Sequence, residues 1–323
     1  MRILAFETSC DDTSVALFDG PRLVAMETRS QTEHAATGGV VPEVAARLHA
    51  NSVFDVMDAV FAQAGWKLAD VDLFACTQKP GLVPSLLVGI TVCKTLARLA
   101  GKPVRWVDHV QAHMYALWLE REVSDVPLPA VCLTASGGHN EIYWMPKPHV
   151  FERVGATRDD SAGEAFDKVS TMLGLGYPGG PVVEKTAALW GKIPRGLFPQ
   201  SLLEKGSLDF SFSGLKSSVR REVERRAALA PLTDADRAEI CAEFQFSVTE
   251  TLCAKLFRAA DKFGAERVML AGGVSANTAY RERVAREAAA TGRTAIWPKQ
   301  LKFTGDNAAM VGMAAWLLET VPA

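Results

Sequence analysis

One plan is written twice along this chain, and that repetition limits the fold more than any other feature. The first half opens with short β-prone runs at 3–8, 14–18 and 23–28. The turns Ser9-Cys10-Asp11-Asp12 and Gly20-Pro21 separate them, the punctuation of a β-meander. A helical stretch at 42–64, a buried strand at 71–77, a Pro80-Gly81 turn, a helix at 83–100 and a strand at 104–107 follow. The second half restarts near Pro129, with strands at 130–135 and 140–144 around Ser136-Gly137-Gly138 and a third after Pro146 to Pro148. Helical segments broken by Gly and Pro come next. A strand at 267–270, the Gly272-Gly273 turn, a helix at 276–290, a strand at 294–297 and a last helix from about Asp306 to Glu319 complete the copy.

Two β-meander-plus-βαβα halves predict an α/β protein of the actin-like (ASKHA) type, built from duplicated ribonuclease-H-like lobes with a central cleft. Parallel βαβ sheets bind ligands beyond the carboxyl ends of their strands, and duplication turns those ends toward one another. The expected lobes are 1–128 and 129–305, with the C-terminal segment 306–323 packing back on the first. A length of 323 residues suits two lobes.

With 48% hydrophobic and 22% charged residues, the composition can fill a sizeable core. A formal net charge of -2 does not mark a nucleic-acid binder, so any RNA contact must come from a local basic patch or from partners. The opening apolar run meets Glu7 too early for a signal peptide, and no window is expected to reach the ~18 apolar residues of a membrane span. Cys10, Cys76, Cys93, Cys132, Cys241 and Cys253 are scattered without a C-x-x-C pair. They read as buried small residues of a reducing, cytoplasmic compartment.

The most informative constellation is Asp108-His109-Val110-Gln111-Ala112-His113 at a helix start. Histidines at i and i+4 share a helical face and can reach one metal ion, or they can simply cap and pack the helix. Asp306, opening the equivalent helix of the second half, falls pseudo-symmetrically opposite them. Two imidazoles and a carboxylate with open positions suit iron(II) or zinc; an ordinary N-cap is the plain alternative for Asp306. With Val110 after His109, the H-E-x-x-H of zinc proteases is missing.

Glycine-rich turns form a second set: Ser136-Gly137-Gly138-His139, Gly174 through Pro181, and Ala271 through Asn277. Their amides can approach phosphate without Cβ interference. None is a P-loop or a dinucleotide fingerprint, and tight turns alone explain each singly. Asp11, Asp12, Asp159, Asp160, Glu164 and Asp167 form an acidic set that turn formation and helix N-terminal charge largely cover. Arg220 through Arg226 is a charge run on an expected helix, read as solvated i,i+4 pairs or as an RNA-backbone contact.

The chain resembles the TsaD/Gcp family in motif after motif. The segments are Phe6 to Ser14, Gly38-Gly39-Val40-Val41-Pro42-Glu43 to His49, the His109/His113 helix, Ala135 to His139, and Asp159 to Lys168 with Tyr177 to Pro181. Phe210-Ser211-Phe212-Ser213-Gly214-Leu215-Lys216, Ala271 to Asn277 and Thr304 to Ala309 complete the set, in family order over nearly the whole chain.

That resemblance implies an acyltransferase that moves the threonylcarbamoyl group of threonylcarbamoyl-AMP to N6 of adenosine 37, in tRNAs reading codons that begin with A, releasing AMP. It implies one divalent metal on His109, His113 and Asp306, iron first, with zinc or magnesium as alternatives. It also implies an adenylate site (threonylcarbamoyl-AMP, or ATP, ADP or AMP) at Thr134, Ala135, Ser136, Gly137, Gly138, Asp167, Gly180 and Asn277. Asp11 and Asp12 are candidate bases for the N6 proton. Implied partners are tRNA, a TsaB-like paralogue, a TsaE-like ATPase and the synthase that supplies threonylcarbamoyl-AMP, with no membrane.

Three positions depart from the family pattern: Asp12 where Glu is usual, Gln111 in the middle of H-x-E-x-H, and Lys79 where the T-x-G-P-G-L turn has glycine. Two other functions fit parts of the pattern. An actin-like phosphotransferase of the sugar or acetate kinase type needs no two-histidine site. A non-catalytic scaffold paralogue of a tRNA-modification complex need not keep the three candidate ligands.

Overall fold

A computed structural model of the protein describes residues 1–36, 39–200 and 206–322. Gly38 and Ala323, which belong to segments singled out above, lie outside the described residues. The chain divides into two compact units, Met1–Pro127 with Pro298–Ala323, and Leu128–Trp297.

The first unit is built on β1 (Arg2–Glu7), β2 (Asp12–Asp19), β3 (Arg22–Ser30), β4 (Leu73–Lys79) and β5 (Val104–Asp108) in the order β3-β2-β1-β4-β5. The first three strands are antiparallel, whereas β4 and β5 run parallel to β1. Parallel strands need a crossover, supplied here by α1 (Pro42–Ala64) and α2 (Val83–Ala100). Both start with Pro in the first turn and stop at a left-handed glycine, Gly65 and Gly101, which is why their limits were legible. Leu4, Phe6, Val15, Leu17, Phe74 and Cys76 pack with Val53, Val56 and Val60 of α1 to form the core.

α2 overturns the expectation that no window reaches membrane-span length and apolarity, because it satisfies both by length and composition. Part of that apolarity lies in the core. Leu86, Gly89, Cys93 and Ala97 are buried as the crossover between β4 and β5. A Cβ on Gly89 would stand 2.5 Å from Thr8 Oγ1, so the helix passes too close to the Thr8 side chain, just after β1, for a larger residue to fit unless Thr8 gives way.

The second unit repeats the plan with β6 (Ala130–Ala135), β7 (Asn140–Met145), β8 (Glu152–Ala156), β9 (Arg267–Ala271) and β10 (Thr294–Ile296), ordered β10-β9-β6-β7-β8. Again the first three are antiparallel, and β9 and β10 join β6 in parallel. Between β8 and β9 lie α4 (Ala162–Met172), α5 (Gly179–Ala188), α6 (Ser213–Ala227) and the 30-residue α7 (Asp234–Phe263); α8 (Thr278–Ala290) connects β9 to β10. Phe166, Phe210, Phe212, Phe244 and Tyr280 are buried in its core.

β5 leads directly into α3 (His109–Tyr115), while the chain leaving β10 enters the first unit and forms α9 (Ala308–Thr320). α9 packs on β1 and β2, and Gly312 sits so close to the Phe18 ring that a Cβ there would stand 2.5 Å from its carbons. The helix starts at Ala308, later than the expected Asp306, because Asn307 is the residue that caps it.

Candidate metal centre

Asp108 ends β5 and caps α3, its Oδ1 accepting from the amides of Val110 (3.1 Å) and Gln111 (3.2 Å). That cap fixes the phase of the helix, so His109 and His113 project one turn apart from one face. Their ring centroids are 4.8 Å apart at 75°, and both are buried. Gln111, between them, is half-buried.

Asp306 comes from the far end of the chain. Asn307 Oδ1 accepts from Met310 N at 3.0 Å, and the amide of Ala308 donates to Ser14 Oγ of β2 at 2.9 Å. With Asn307 serving as the cap, the Asp306 carboxylate is not the helix cap. Its Oδ1 lies 3.1 Å from His113 Nε2 and 3.6 Å from His109 Nε2. The ligand atoms of the three residues fall within 4.8 Å of one another.

The set fits a divalent cation on its own chemistry. His113 is buried, yet among the described residues neither ring nitrogen has hydrogen-bond geometry with a neighbour, the nearby Asp306 oxygen included. Buried polar atoms are rarely left so, and a cation between imidazole and carboxylate would satisfy Nε2, the nitrogen that faces Asp306. Without a cation, burial would push the His109 imidazole down, but Asp306 and Glu7 outweigh it and raise it to about 9.

Glu7, absent from the expected site, is fully buried at the end of β1. Its Oε2 lies 3.2 Å from His109 Nδ1 and accepts from Thr77 Oγ1 at 2.5 Å, while Oε1 accepts from Ser9 N at 2.5 Å. Ser9 Oγ also stands 3.1 Å from His109 Nδ1. Burial alone would raise the Glu7 carboxyl, but His109 holds it below its ordinary value. The sequence did carry a signal: a carboxylate closing a strand straight after the four buried apolar residues Ile3 to Phe6.

The two candidate bases lie in the β1–β2 turn of this unit. Asp12 starts β2 and accepts from Ser30 Oγ at 2.5 Å. Burial, aided by Asp306, Asp11 and Glu7 against the Ser30 bond, pushes its carboxyl up to about 7. Asp11 is half-buried beside it. The turn is held by His49, buried on α1, with Nε2 2.9 Å from Cys10 O and Nδ1 2.7 Å from Thr13 Oγ1. Lys79 is exposed at the end of β4.

In the second unit the glycine turns meet at one end of the sheet. Ser136 N donates to His139 O at 2.8 Å, closing the β6–β7 hairpin, and Gly137 O accepts from Ser161 Oγ at 2.6 Å. Gly163 at the start of α4 packs on Ser136 O, where a Cβ would stand at 2.5 Å. Gly272 (φ +79°) crowds the Ala135 backbone. Thr134 and Ala135 are buried in β6, whereas Gly137 and Gly138 are exposed. Gly180 is half-buried with open space where a Cβ would be.

Asp167 and Asn277 have structural employment. Asp167 Oδ1 accepts from Gly179 N at 2.7 Å at the start of α5. Asn277 caps α8 through Tyr280 N (2.9 Å) and donates to Gln245 Oε1 (2.8 Å). Asp159 caps α6, accepting from Phe212 N at 2.7 Å and from Ser213 Oγ at 2.8 Å, and Asp160 pairs with Lys168 and Lys216. In the Arg220–Arg226 run, Glu222 holds Arg225 and Arg226, and Arg226 also pairs with Asp236 and Glu239.

A family model described as "TsaD: tRNA N6-adenosine threonylcarbamoyltransferase" matches residues 22–313. The chain belongs to the TsaD family. A tRNA N6-adenosine threonylcarbamoyltransferase from Kosmotoga olearia is 44% identical over 98% of this chain and 93% of its own length. Among solved structures, full-length HypF in its phosphate- and nucleotide-bound form matches with a TM-score of 0.64 at 13% identity, over the whole chain and 47% of HypF. The Acidaminococcus fermentans (R)-2-hydroxyglutaryl-CoA dehydratase component A matches at 0.55 and 14% identity, over 98% of both chains. At such identities these structures speak for fold alone, and the fold they share with this TsaD family member agrees with the actin-like (ASKHA) plan that the duplicated strands predicted.

Proposed function

We propose that this acyltransferase forms a bond from N6 of adenosine 37 to the carbamoyl carbon of threonylcarbamoyl-AMP, in tRNAs reading codons that begin with A. The carbamoyl–phosphate oxygen bond breaks, AMP leaves, and N6 gives up a proton. The observation that carries this reading is the convergence of His109, His113 and Asp306 in a chain of the TsaD family.

His109, His113 and Asp306 would hold one divalent ion, with iron favoured by two imidazoles and one carboxylate and zinc or magnesium as alternatives. When bound, such an ion supplies Lewis acidity toward substrate oxygens. The rest is the work of the chain. The open Gly137 and Gly138 amides, with Thr134, Ala135, Ser136 and Gly180, are the proposed adenylate seat; backbone N–H groups there would offset charge on the departing phosphate. Asp167 and Asn277 complete that seat, and they also fix the starts of α5 and α8. Asp12, with a carboxyl near 7, is suited to take the N6 proton at neutral pH, and Asp11 is its alternate.

The reading also includes a TsaB-like paralogue, a TsaE-like ATPase and an upstream synthase as partners, and a cytoplasmic setting. The test combines the protein with these partners, threonine, bicarbonate, ATP and tRNA, followed by nucleoside mass spectrometry. Wild type should yield threonylcarbamoyladenosine and His109→Ala should not. Equal product from both would refute the assignment of chemistry to this centre.

A further inference from the structure

The geometry points to Glu7 as a positioning residue that selects the imidazole tautomer His109 presents to a cation. This rests on the metal-centre reading above and deepens it. An ionised carboxylate only accepts hydrogen bonds, so an imidazole nitrogen facing Glu7 Oε2 at 3.2 Å must carry the proton. With Nδ1 protonated, the lone pair of neutral His109 sits on Nε2, the atom 3.6 Å from Asp306 Oδ1. Ser9 Oγ, 3.1 Å from the same Nδ1, cannot make this choice, since a hydroxyl donates as readily as it accepts.

The carboxylate itself is fixed. Thr77 Oγ1 and Ser9 N each donate to a different Glu7 oxygen at 2.5 Å. These donors come from β4 and from the residue pair after β1, so the sheet sets the direction of the Glu7 plane. The whole residue is buried, and with an amide and a hydroxyl already donating to its two oxygens it faces His109 Nδ1 as an acceptor. Outer partners of this kind orient ligands and change affinity by about 10–100-fold.

The experiment measures zinc affinity of metal-stripped protein by chelator competition, alongside NMR of the imidazole N–H protons in zinc-loaded protein. Glu7→Gln should weaken zinc binding at least about tenfold. It should also shift the His109 Nδ1–H resonance upfield and speed its exchange, which a general loss of packing would not do selectively. Thr77→Val, which frees one side of the carboxylate, should act in the same direction by about two- to fivefold, and decides the matter if Glu7→Gln does not fold. His109→Ala separates the two readings. If His109→Ala abolishes zinc binding while Glu7→Gln and Thr77→Val bind within twofold of wild type with an unmoved N–H signal, the Glu7 role is wrong and the centre stands. If His109→Ala binds zinc like wild type, the centre itself is wrong.

Discussion

His113 Nε2 and Asp306 Oδ1 stand 3.1 Å apart, one from a helix in the first half of the chain and the other from the turn before its last helix. Asp306 reaches this place because Asn307 takes over the capping of α9 and the amide of Ala308 ties the turn to Ser14. Adjacent residues thus divide the work, Asn307 capping the helix and Asp306 facing the histidines.

Asp306→Asn therefore should leave the fold intact while emptying the centre. Metal content by elemental analysis is expected to fall, with affinity lowered about a hundredfold or more. Far-UV circular dichroism should be unchanged. A variant that keeps its full metal complement would remove Asp306 from the ligand set.

Gly312 tests how α9 is seated. Phe18 is fully buried, so it has little room to yield to a Cβ placed 2.5 Å from its ring carbons. Gly312→Ala should cost about 1–3 kcal/mol by denaturant unfolding and weaken metal binding, since α9 carries the Asp306 turn. Wild-type stability would mean that the helix can slide without penalty.

His49 holds the Cys10–Thr13 turn through both ring nitrogens. His49→Ala is expected to destabilise by about 1–3 kcal/mol. Its larger effect should fall on turnover, with metal content near wild type, because the turn carries Asp11 and Asp12 but no proposed ligand. Parallel assays of turnover and bound metal check this. Loss of metal in step with activity would contradict it.

Asp12 gives a pH dependence of definite sign. Its carboxyl rises from the ordinary 3.8 to about 7 in the folded protein. Between those values the folded chain holds a proton that the unfolded chain has released, so the stabilisation is fully present below 3.8 and lost as pH rises through 7. In metal-free protein, Asp12→Asn should gain thermal stability relative to wild type on moving from pH 5 to pH 8. A difference in melting temperature that does not change with pH would show that Asp12 titrates normally.

Much of this architecture was legible because local chemistry and tertiary packing agreed. Pro42 and Gly65, or the Pro in the first turn of α2 and Gly101, bracket helices whose apolar faces are also buried. The i,i+4 histidines were readable for the same reason, since one helical phase sets both. Where one residue type serves two purposes, the sequence left the choice open. Asp306 and Asn307 can both cap, and only the packed turn shows which does. Asp167 and Asn277 read as substrate contacts, and only the fold shows that their side chains also bond to Gly179, Tyr280 and Gln245. Glu7 escaped notice because its importance lies in Thr77, Ser9 and His109, partners that only strand pairing brings within reach.

The central claim is that this chain performs threonylcarbamoyl transfer through a cation held by His109, His113 and Asp306. Its most direct test is single-turnover formation of threonylcarbamoyladenosine by chelator-stripped protein, before and after one equivalent of metal is restored. The account predicts less than about a tenth of the original product in the stripped protein and recovery on restoration, with no recovery in His113→Ala. Full product from protein free of bound metal would contradict it.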